Sequence, residues 1–276
     1  MNFWQMPLQY LWLLPLGFLV GAYGTLIGAG GGFLLVPILL LLYPQETPET
    51  ITSISLAVVF FNALSGSLAY ARLKRIEYRS GLLFSAATIP GAILGAITTA
   101  YIPRGLFDGI LGLLLVAVSV FLALKPGGGV QEPRPCPPNH RACTVTEADG
   151  TVHSFSFNQP LGVVVSLAVG FFSSILGIGG GIIHVPVLVH LLNFPVHIAT
   201  ATSHFVLANM ALTGTLTHIV TGAFAQGVRR TILLAIGVLL GAQVGARLSG
   251  KMRGTWIIRG LAIALAAVGI RLLMKI

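Results

Sequence analysis

Two glycine clusters interrupt the membrane-length apolar sequence of this 276-residue chain. They are Gly28-Ala29-Gly30-Gly31-Gly32 ahead of Val36-Pro37, and Gly177-Ile178-Gly179-Gly180-Gly181 ahead of Val185-Pro186. A glycine break inside a bilayer leaves backbone N–H groups that lipid cannot satisfy, so it persists only where protein or a polar cavity surrounds it. Two breaks at matching places therefore predict a paired site of the kind found in transporters.

The composition defines the class of protein around these breaks. The chain is 55% hydrophobic and 8% charged, with a mean hydropathy of +0.91. Apolar stretches near the roughly 20 residues that cross a bilayer cover residues 8–27, 51–71, 81–101, 106–124, 161–176, 198–222, 231–248 and 256–274. This pattern predicts an all-α polytopic membrane protein. The net charge of +9 lies between or beside these stretches, where Lys and Arg set orientation, so we expect a lipid bilayer and no nucleic acid as partner.

The second half of the chain repeats the first. The glycine clusters match at an offset of 149 residues, Ser55 matches Ser203 at 148, and the run from Gly91 to Ala96 matches the run from Gly241 to Ala246 at 150. This predicts two homologous four-helix-plus-broken-segment repeats, residues 1–125 and 160–276. The Gly-x-x-x-Gly spacing at residues 91–95 and 241–245 also predicts closely packed membrane helices.

The linker between the repeats, residues 126–159, is different in kind. It is rich in proline, and Asp149-Gly150 stands between alternating residues, which favours a short hairpin with a tight turn. Cys136 and Cys143 flank His140. These thiols could form a disulfide, bind a metal weakly or carry sulfur, but two incidental thiols is the favoured interpretation.

The direction of the repeats is open at this level. Residues 8–43 and 161–192 are too long for one span and too short for two. If each stretch crosses once, the repeats are parallel; if each returns to its starting side, they are inverted. With the basic loop of Arg72, Lys74, Arg75 and Arg79 inside, both arrangements put the same number of Lys and Arg in the cytoplasm, so charge does not decide. We favour inverted repeats because broken helices meet at the midplane in many such transporters.

The segments after the clusters, residues 33–42 and 182–192, have the length of half-helices. Their N-termini would present amides and the positive end of a helix dipole inside the membrane, an arrangement that binds anions. Close helix packing is the alternative role for the glycines. All acidic residues lie outside the predicted membrane interior, which disfavours a cation substrate. They are Glu46, Glu49, Glu77, Asp108, Glu132, Glu147 and Asp149.

The candidate substrate-binding residues are four glycines of the clusters and four polar residues of the following helices. They are Gly30, Gly31, Gly179, Gly180, Ser55, Thr202, Ser203 and His204. For any single one of these hydroxyls, a hydrogen bond to a neighbouring helix or to the backbone is the favoured interpretation. His184, His204 and His218 have no counterpart in the first half, and each could neutralise an anion, carry a proton or pack as a neutral ring. Their spacing does not suit a metal, so we expect no metal and no cofactor.

The two Gly-x-Gly-Gly-Gly…Val-Pro segments, together with Ala201-Thr202-Ser203 and Gly241-Ala242, resemble the sulfite exporter TauE/SafE family of membrane permeases. The resemblance covers both halves but not the linker. It implies a multi-pass carrier, rather than an enzyme, in the bacterial inner membrane. The implied substrate is a small sulfur-containing anion such as sulfite, thiosulfate or an organosulfonate.

Export is the expected direction, since an anion leaving an inside-negative cell gains about 2.3 kcal/mol per 100 mV. Two alternatives stay open. One is a membrane enzyme or sulfur-relay subunit that uses the linker cysteines with a soluble sulfur-handling partner, and the other is an anion channel. The sequence leaves the oligomeric state, including a homo-oligomer, open.

Overall fold

The computed structural model describes residues 10–124, 140–249, 251 and 254–274. Cys136, Glu132 and the proline-rich part of the linker lie outside the described residues. The helices of the first half are α1 (Leu13–Ile27), α2 (Gly32–Leu42), α3 (Pro48–Arg72), α4 (Tyr78–Thr99) and α5 (Arg104–Leu124). Two strands follow, β1 (His140–Thr146) and β2 (Val152–Asn158). The helices of the second half are α6 (Gln159–Leu176), α7 (Gly181–His190), α8 (Val196–Val220), α9 (Val228–Ser249) and α10 (Gly254–Leu273).

Five helices in the described part of the chain are long and apolar enough to cross a membrane, namely α3, α4, α5, α6 and α9. Helix α3 is the most enclosed of them, with 78% of its most apolar window buried. An apolar helix that is also surrounded by protein forms the centre of a bundle. The expectation of an all-α polytopic membrane protein is therefore confirmed.

Two helix pairs pack through glycines, as the Gly-x-x-x-Gly spacing predicts. On α9, Gly241 and Gly245 lie against the backbone of α1 at Phe18 and Ala22. On α4, Gly91 and Gly95 lie against the backbone of α6 in the same way. A side chain at any of these four glycines would meet backbone atoms, so only glycine permits this approach. In both pairs, residues later in one helix contact residues later in the other. Helix α1 therefore runs parallel to α9, and α4 runs parallel to α6.

Helices α3 and α8 cross at the centre of the bundle. Leu56, early in α3, contacts Gly214, late in α8, whereas Gly66 contacts His204 near the start of α8. The order of contacts is reversed, so these two helices run antiparallel. Helix α3 runs parallel to α9, because Ile54 contacts Gly227 just before α9 and Ser65, later in α3, contacts Leu239 and Gln243. Helix α8 runs parallel to α4, because Thr202 contacts Glu77 just before α4 and Asn209, later in α8, contacts Ser85.

The two strands form an antiparallel hairpin that pairs residues 140–146 with residues 152–158. Glu147 and Thr151 also pair through their backbones, which leaves a three-residue turn with Gly150 at a φ of 89°. A three-residue turn ending in a left-handed glycine is a common hairpin connection. The Ala148 amide donates to the Leu73 carbonyl at 3.0 Å. The hairpin therefore sits on the α3–α4 loop, and we call this end of the bundle the hairpin end.

Candidate functional site

Both glycine clusters are breaks between helices. Helix α1 ends at Ile27 and α2 begins at Gly32, while α6 ends at Leu176 and α7 begins at Gly181. Positive φ angles of 65° to 83° occur at the first, third and fourth positions of each cluster, which are Gly28, Gly30, Gly31, Gly177, Gly179 and Gly180. Side chains disfavour this backbone region strongly. The breaks therefore exist because these positions are glycine.

The two breaks contact each other inside the bundle. Gly32 lies against the backbone of Ile178, and Gly181 lies against the backbone of Gly28 and Ala29. The half-helices α2 and α7 consequently begin at the same place in the interior. The amides of Gly32 and Phe33 in one, and of Gly180 and Ile182 in the other, have no acceptor among the described residues. Unpaired N–H groups at a helix N-terminus attract an anion.

A small cavity adjoins the second break. Its polar lining comes from Thr88 of α4, Gly180 and Gly181 at the break, His184 of α7 and Ser203 of α8. The rest of the lining is apolar and consists of Val169, Val206, Leu207 and Met210. The space holds about one water molecule. A polyatomic anion would need the surrounding helices to separate.

Ser203 supplies the free hydroxyl of this cavity. It is 1% exposed, and its Oγ has no hydrogen-bond partner among the described residues. The Thr88 hydroxyl donates to the Ser85 carbonyl at 2.7 Å, so toward the cavity it can only accept. An anion, which offers mainly acceptors, could therefore bond to the Ser203 hydroxyl and to the Gly180 amide.

His184 is oriented by α6. The Ser166 hydroxyl donates to the Gly162 carbonyl at 2.7 Å and lies 3.3 Å from His184 Nε2. Since the Ser166 proton is directed to Gly162, this network assigns the proton of a neutral His184 to Nε2. Nδ1 then carries a lone pair, and it becomes a donor only when the ring is protonated.

The predicted glycines divide between two surroundings. Gly180 lines the cavity. Gly30 and Gly179 both lie against the side chains of Val59 and Leu207, which stand at equivalent positions of α3 and α8. Gly31 lies against Val20. Apolar side chains thus cover Gly30 and Gly31 of the first break and Gly179 of the second in this conformation.

The hydroxyls of Ser55 and Thr202 already have partners. Ser55 Oγ donates to the Gly177 carbonyl at 2.6 Å, which ties α3 to the second break. Thr202 Oγ1 accepts from the Glu77 amide at 3.1 Å at the hairpin end, on the side of α8 that faces α4. The structure therefore brings Ser203 and Gly180 together at the cavity but does not bring Ser55 and Thr202 to it.

His204 belongs to a second polar cluster, on the side of α8 that faces α1 and α3. Its Nε2 is 3.2 Å from Thr25 Oγ1, which donates to Asn62 Oδ1 at 3.0 Å. The Tyr70 hydroxyl donates to the Thr25 carbonyl at 2.7 Å, and its ring meets the His204 ring edge-on. This cluster ties the end of α1 to α3 and α8 next to the first break.

Sequence reasoning did not bring Thr88 or His184 into the site, and it did not single out Thr25. The signal for Thr88 was a polar residue in the middle of an apolar span, which is weak on its own. His184 stands three residues after Gly181, so its place on the first turn of a half-helix was a stronger signal.

No carboxylate of the described residues lines the cavity. The described acidic residues that form ion pairs lie at the ends of the bundle. Glu46 pairs with Arg230 at 2.5 Å, and Glu77 and Glu147 lie at the hairpin end with Arg141 and Arg75. Within the described residues no group of three or more His, Cys, Asp or Glu could hold a metal ion. A cavity whose described lining includes no carboxylate suits an anion better than a cation.

Cys143 lies on β1, away from the cavity, and is a half-buried free thiol. Burial raises the pKa of the Cys143 thiol, and the Glu77 carboxylate raises it further. The thiolate is the reactive form of cysteine. Its surroundings therefore make Cys143 a poor nucleophile at neutral pH.

Comparison with known proteins places this architecture among membrane transporters. The model of a family described as "Sulfite exporter TauE/SafE" matches residues 13–272. The probable membrane transporter protein YunE of Bacillus subtilis is 31% identical over 276 residues, covering 97% of this chain and 98% of YunE. The probable membrane transporter protein MJ0441 of Methanocaldococcus jannaschii is 22% identical, covering 98% of this chain and 99% of that protein. No solved structure matches the chain.

Proposed function

Because the chain belongs to the sulfite exporter TauE/SafE family of membrane transporters, we propose that it carries a small sulfur-containing anion out of a bacterial cell across the inner membrane. Sulfite, thiosulfate and organosulfonates are the candidate substrates. The observation that carries this proposal is the cavity at the second break. Its described lining holds the buried Ser203 hydroxyl and Gly180, whose amide has no acceptor among the described residues at the N-terminus of α7, and it includes no carboxylate.

The chemistry of that cavity favours an oxyanion. Such an anion accepts hydrogen bonds and donates few, which suits amides and a hydroxyl that lack acceptors. The positive end of the α7 dipole adds attraction in a medium of low dielectric constant. A protonated His184 would add a further donor from Nδ1, whereas the neutral ring would not.

We further propose that the two halves are inverted repeats. The supporting observation is the antiparallel crossing of α3 and α8, which occupy equivalent places in the two halves. The pairs α1–α9 and α4–α6 are also equivalent. In each pair, the helix before the glycine cluster of one half packs in parallel against the Gly-x-x-x-Gly helix of the other half. In such an arrangement α1 and α2 form one re-entrant hairpin, α6 and α7 form the other, and their tips meet at the midplane.

Transport requires a second conformation. The cavity holds about one water molecule, while Val59 and Leu207 cover Gly30 and Gly179. We propose that movement of one half against the other withdraws these two side chains and exposes the amides to one side of the membrane at a time. This is alternating access around the paired broken helices.

The proposed direction follows from charge. The junction of α3 and α4 at the hairpin end carries Arg72, Lys74 and Arg75, so the positive-inside rule assigns that end to the cytoplasm. An anion that moves from there to the opposite end gains about 2.3 kcal/mol per charge per 100 mV of inside-negative potential. Export needs no coupling ion under this potential.

The test is flux of sulfite from liposomes that contain the purified protein, with an imposed voltage and with thiosulfate or a sulfonate as competitor. We expect saturable flux that a negative interior accelerates and that at least one competitor blocks. Flux no greater than that of protein-free liposomes for all three anions would refute the substrate assignment. Turnover far above carrier rates would instead indicate a channel. Loss of flux in Cys143→Ser would support the sulfur-relay alternative.

A further inference from the structure

The β-hairpin packs on the α3–α4 loop at one end of the bundle, and its Phe157 contacts Phe84, which in turn contacts His184 of the cavity lining. We propose that it is the gate of the site at the hairpin end, held shut by a buried ion pair and connected to the cavity by a chain of aromatic rings. The proposal rests on the transport function proposed above. It assigns a role to the two strands, which are separate from the helical bundle in the described part of the chain.

A buried ionic cluster holds the hairpin in place. Arg75 of the α3–α4 loop donates from Nε to Glu147 Oε2 at 2.5 Å, and His153 Nε2 lies 2.9 Å from Glu147 Oε1. Arg75 and Glu147 are only 8% and 6% exposed. Removing one partner of a buried pair leaves the other charge without compensation, which is far more costly than losing a surface pair. The docked position of the hairpin therefore depends on this pair.

Further polar contacts attach the hairpin to the same loop. The Ala148 amide bonds to the Leu73 carbonyl at 3.0 Å. Arg141 of β1 lies 3.4 Å from Glu77, whose other carboxylate oxygen accepts from the Ser80 amide at the start of α4. The hairpin is thus attached to the junction of α3 and α4 rather than to a membrane-facing surface.

Aromatic rings fill the space between the hairpin and the cavity. Phe157 of β2 is fully buried, with its ring centroid 6.0 Å from Phe84 of α4 and 5.0 Å from Phe194. Phe84 in turn meets the His184 ring edge-on at 5.9 Å. A continuous series of ring contacts therefore leads from the hairpin to the lining of the cavity, through Phe157, Phe84 and His184. While these rings remain packed, an anion has no path along this line.

The hairpin can also transmit movement. Strand β2 runs directly into α6, whose first turn is capped by Asn158 at 3.0 Å from the Leu161 amide. Helix α6 supplies Val169 to the cavity and Ser166 to His184. An isolated two-stranded hairpin is marginally stable in water, so this one depends on its contacts with the bundle. Release of the ionic cluster would therefore free β2 and the start of α6 together.

Accessibility of the cavity tests the gate without requiring transport. In a protein with Cys136→Ser and Cys143→Ser, Ser203→Cys serves as the reporter, and inside-out vesicles expose the hairpin end to a membrane-impermeant thiol reagent. We expect Glu147→Gln to accelerate labelling of the reporter roughly tenfold, equivalent to about 1.4 kcal/mol. The matched control is Asp149→Asn in the same hairpin, whose carboxylate bonds to the Thr151 amide and not to Arg75. It should leave labelling unchanged.

A second variant guards against failure of Glu147→Gln to fold. Phe157→Ala removes the aromatic ring next to Phe84 and keeps the ion pair, and it should also accelerate labelling. Unchanged labelling in whichever of these variants folds would overturn the gate. Faster labelling in the reporter protein, together with no flux of any tested anion in the protein that retains Ser203, would support the gate and count against the proposed substrates.

A reversible lock provides the opposite perturbation. In the same cysteine-free protein, Leu73→Cys with Ala148→Cys would join the hairpin to the α3–α4 loop at their backbone hydrogen bond. We expect oxidation to reduce sulfite flux at least roughly tenfold, the same factor in the opposite direction, and a reductant to restore it. The single Leu73→Cys variant, which cannot form the bond, should not respond. Equal flux in the oxidised and reduced states, with the disulfide verified by mass, would overturn the proposal.

Discussion

Ser203→Ala should weaken anion binding without loss of stability. The Ser203 hydroxyl is buried at the cavity and has no partner among the described residues, so the folded protein gains nothing from it in the absence of a ligand. A hydrogen bond to a charged group contributes about 1.5–3 kcal/mol. Its loss should raise the half-saturating sulfite concentration about 10- to 150-fold.

Ser55→Ala is the matched control, because Ser55 occupies the equivalent position of α3. Its hydroxyl donates to the Gly177 carbonyl at 2.6 Å, and its removal leaves that buried carbonyl without this donor. We expect a loss of about 1–3 kcal/mol in the free energy of unfolding. The two substitutions should therefore act on different quantities, one on affinity and the other on stability.

The assay is saturable sulfite flux in proteoliposomes, combined with thermal unfolding of the same purified variants. The expected pattern is weaker half-saturation with an unchanged melting temperature for Ser203→Ala, and a lower melting temperature for Ser55→Ala. If Ser203→Ala is folded and retains the half-saturation of the unmodified protein, the hydroxyl does not contact the substrate. The cavity would then not be the binding site.

Three further predictions concern stability and reactivity. Arg104 donates to four carbonyls at the end of α2, those of Leu40, Tyr43, Pro44 and Glu46. Arg104→Gln should therefore lower the free energy of unfolding by about 2–4 kcal/mol. The same loss in Arg229→Gln, at an exposed arginine, would contradict this reasoning. Gly241→Leu should prevent stable folding because any side chain at this position meets the α1 backbone. Gly105 has open space around it, so Gly105→Ala should be tolerated. Equal yields of monodisperse protein for the two variants would contradict this prediction. Alkylation of Cys143 should reach half its maximal rate at a higher pH than in the unfolded chain, because burial and Glu77 raise its pKa. The raised pKa stabilises the folded state at pH values below the pKa of the unfolded thiol. This stabilisation is lost as the pH rises through the pKa of the folded thiol. Equal pH profiles of alkylation for the folded and unfolded protein would refute the prediction.

Local sequence determined the breaks and the helices. Glycine is the residue that adopts the positive φ angles at Gly28 and Gly177 readily, and long apolar runs in a bilayer must be helical. The spacing of Gly241 and Gly245 predicted the close contact with α1 for the same local reason. The hairpin was expected from Asp149-Gly150, but its buried attachment to the α3–α4 loop has no local signature.

The allocation of hydrogen bonds was decided by the tertiary structure. Ser55 and Ser203 stand 148 residues apart at equivalent positions, and the sequence gives no reason to distinguish them. In the fold, Ser55 lies within 2.6 Å of the Gly177 carbonyl, whereas Ser203 faces the cavity without a partner among the described residues. A hydroxyl is available to a ligand only if no neighbouring acceptor takes its proton. That depends on distances between helices that lie far apart along the chain.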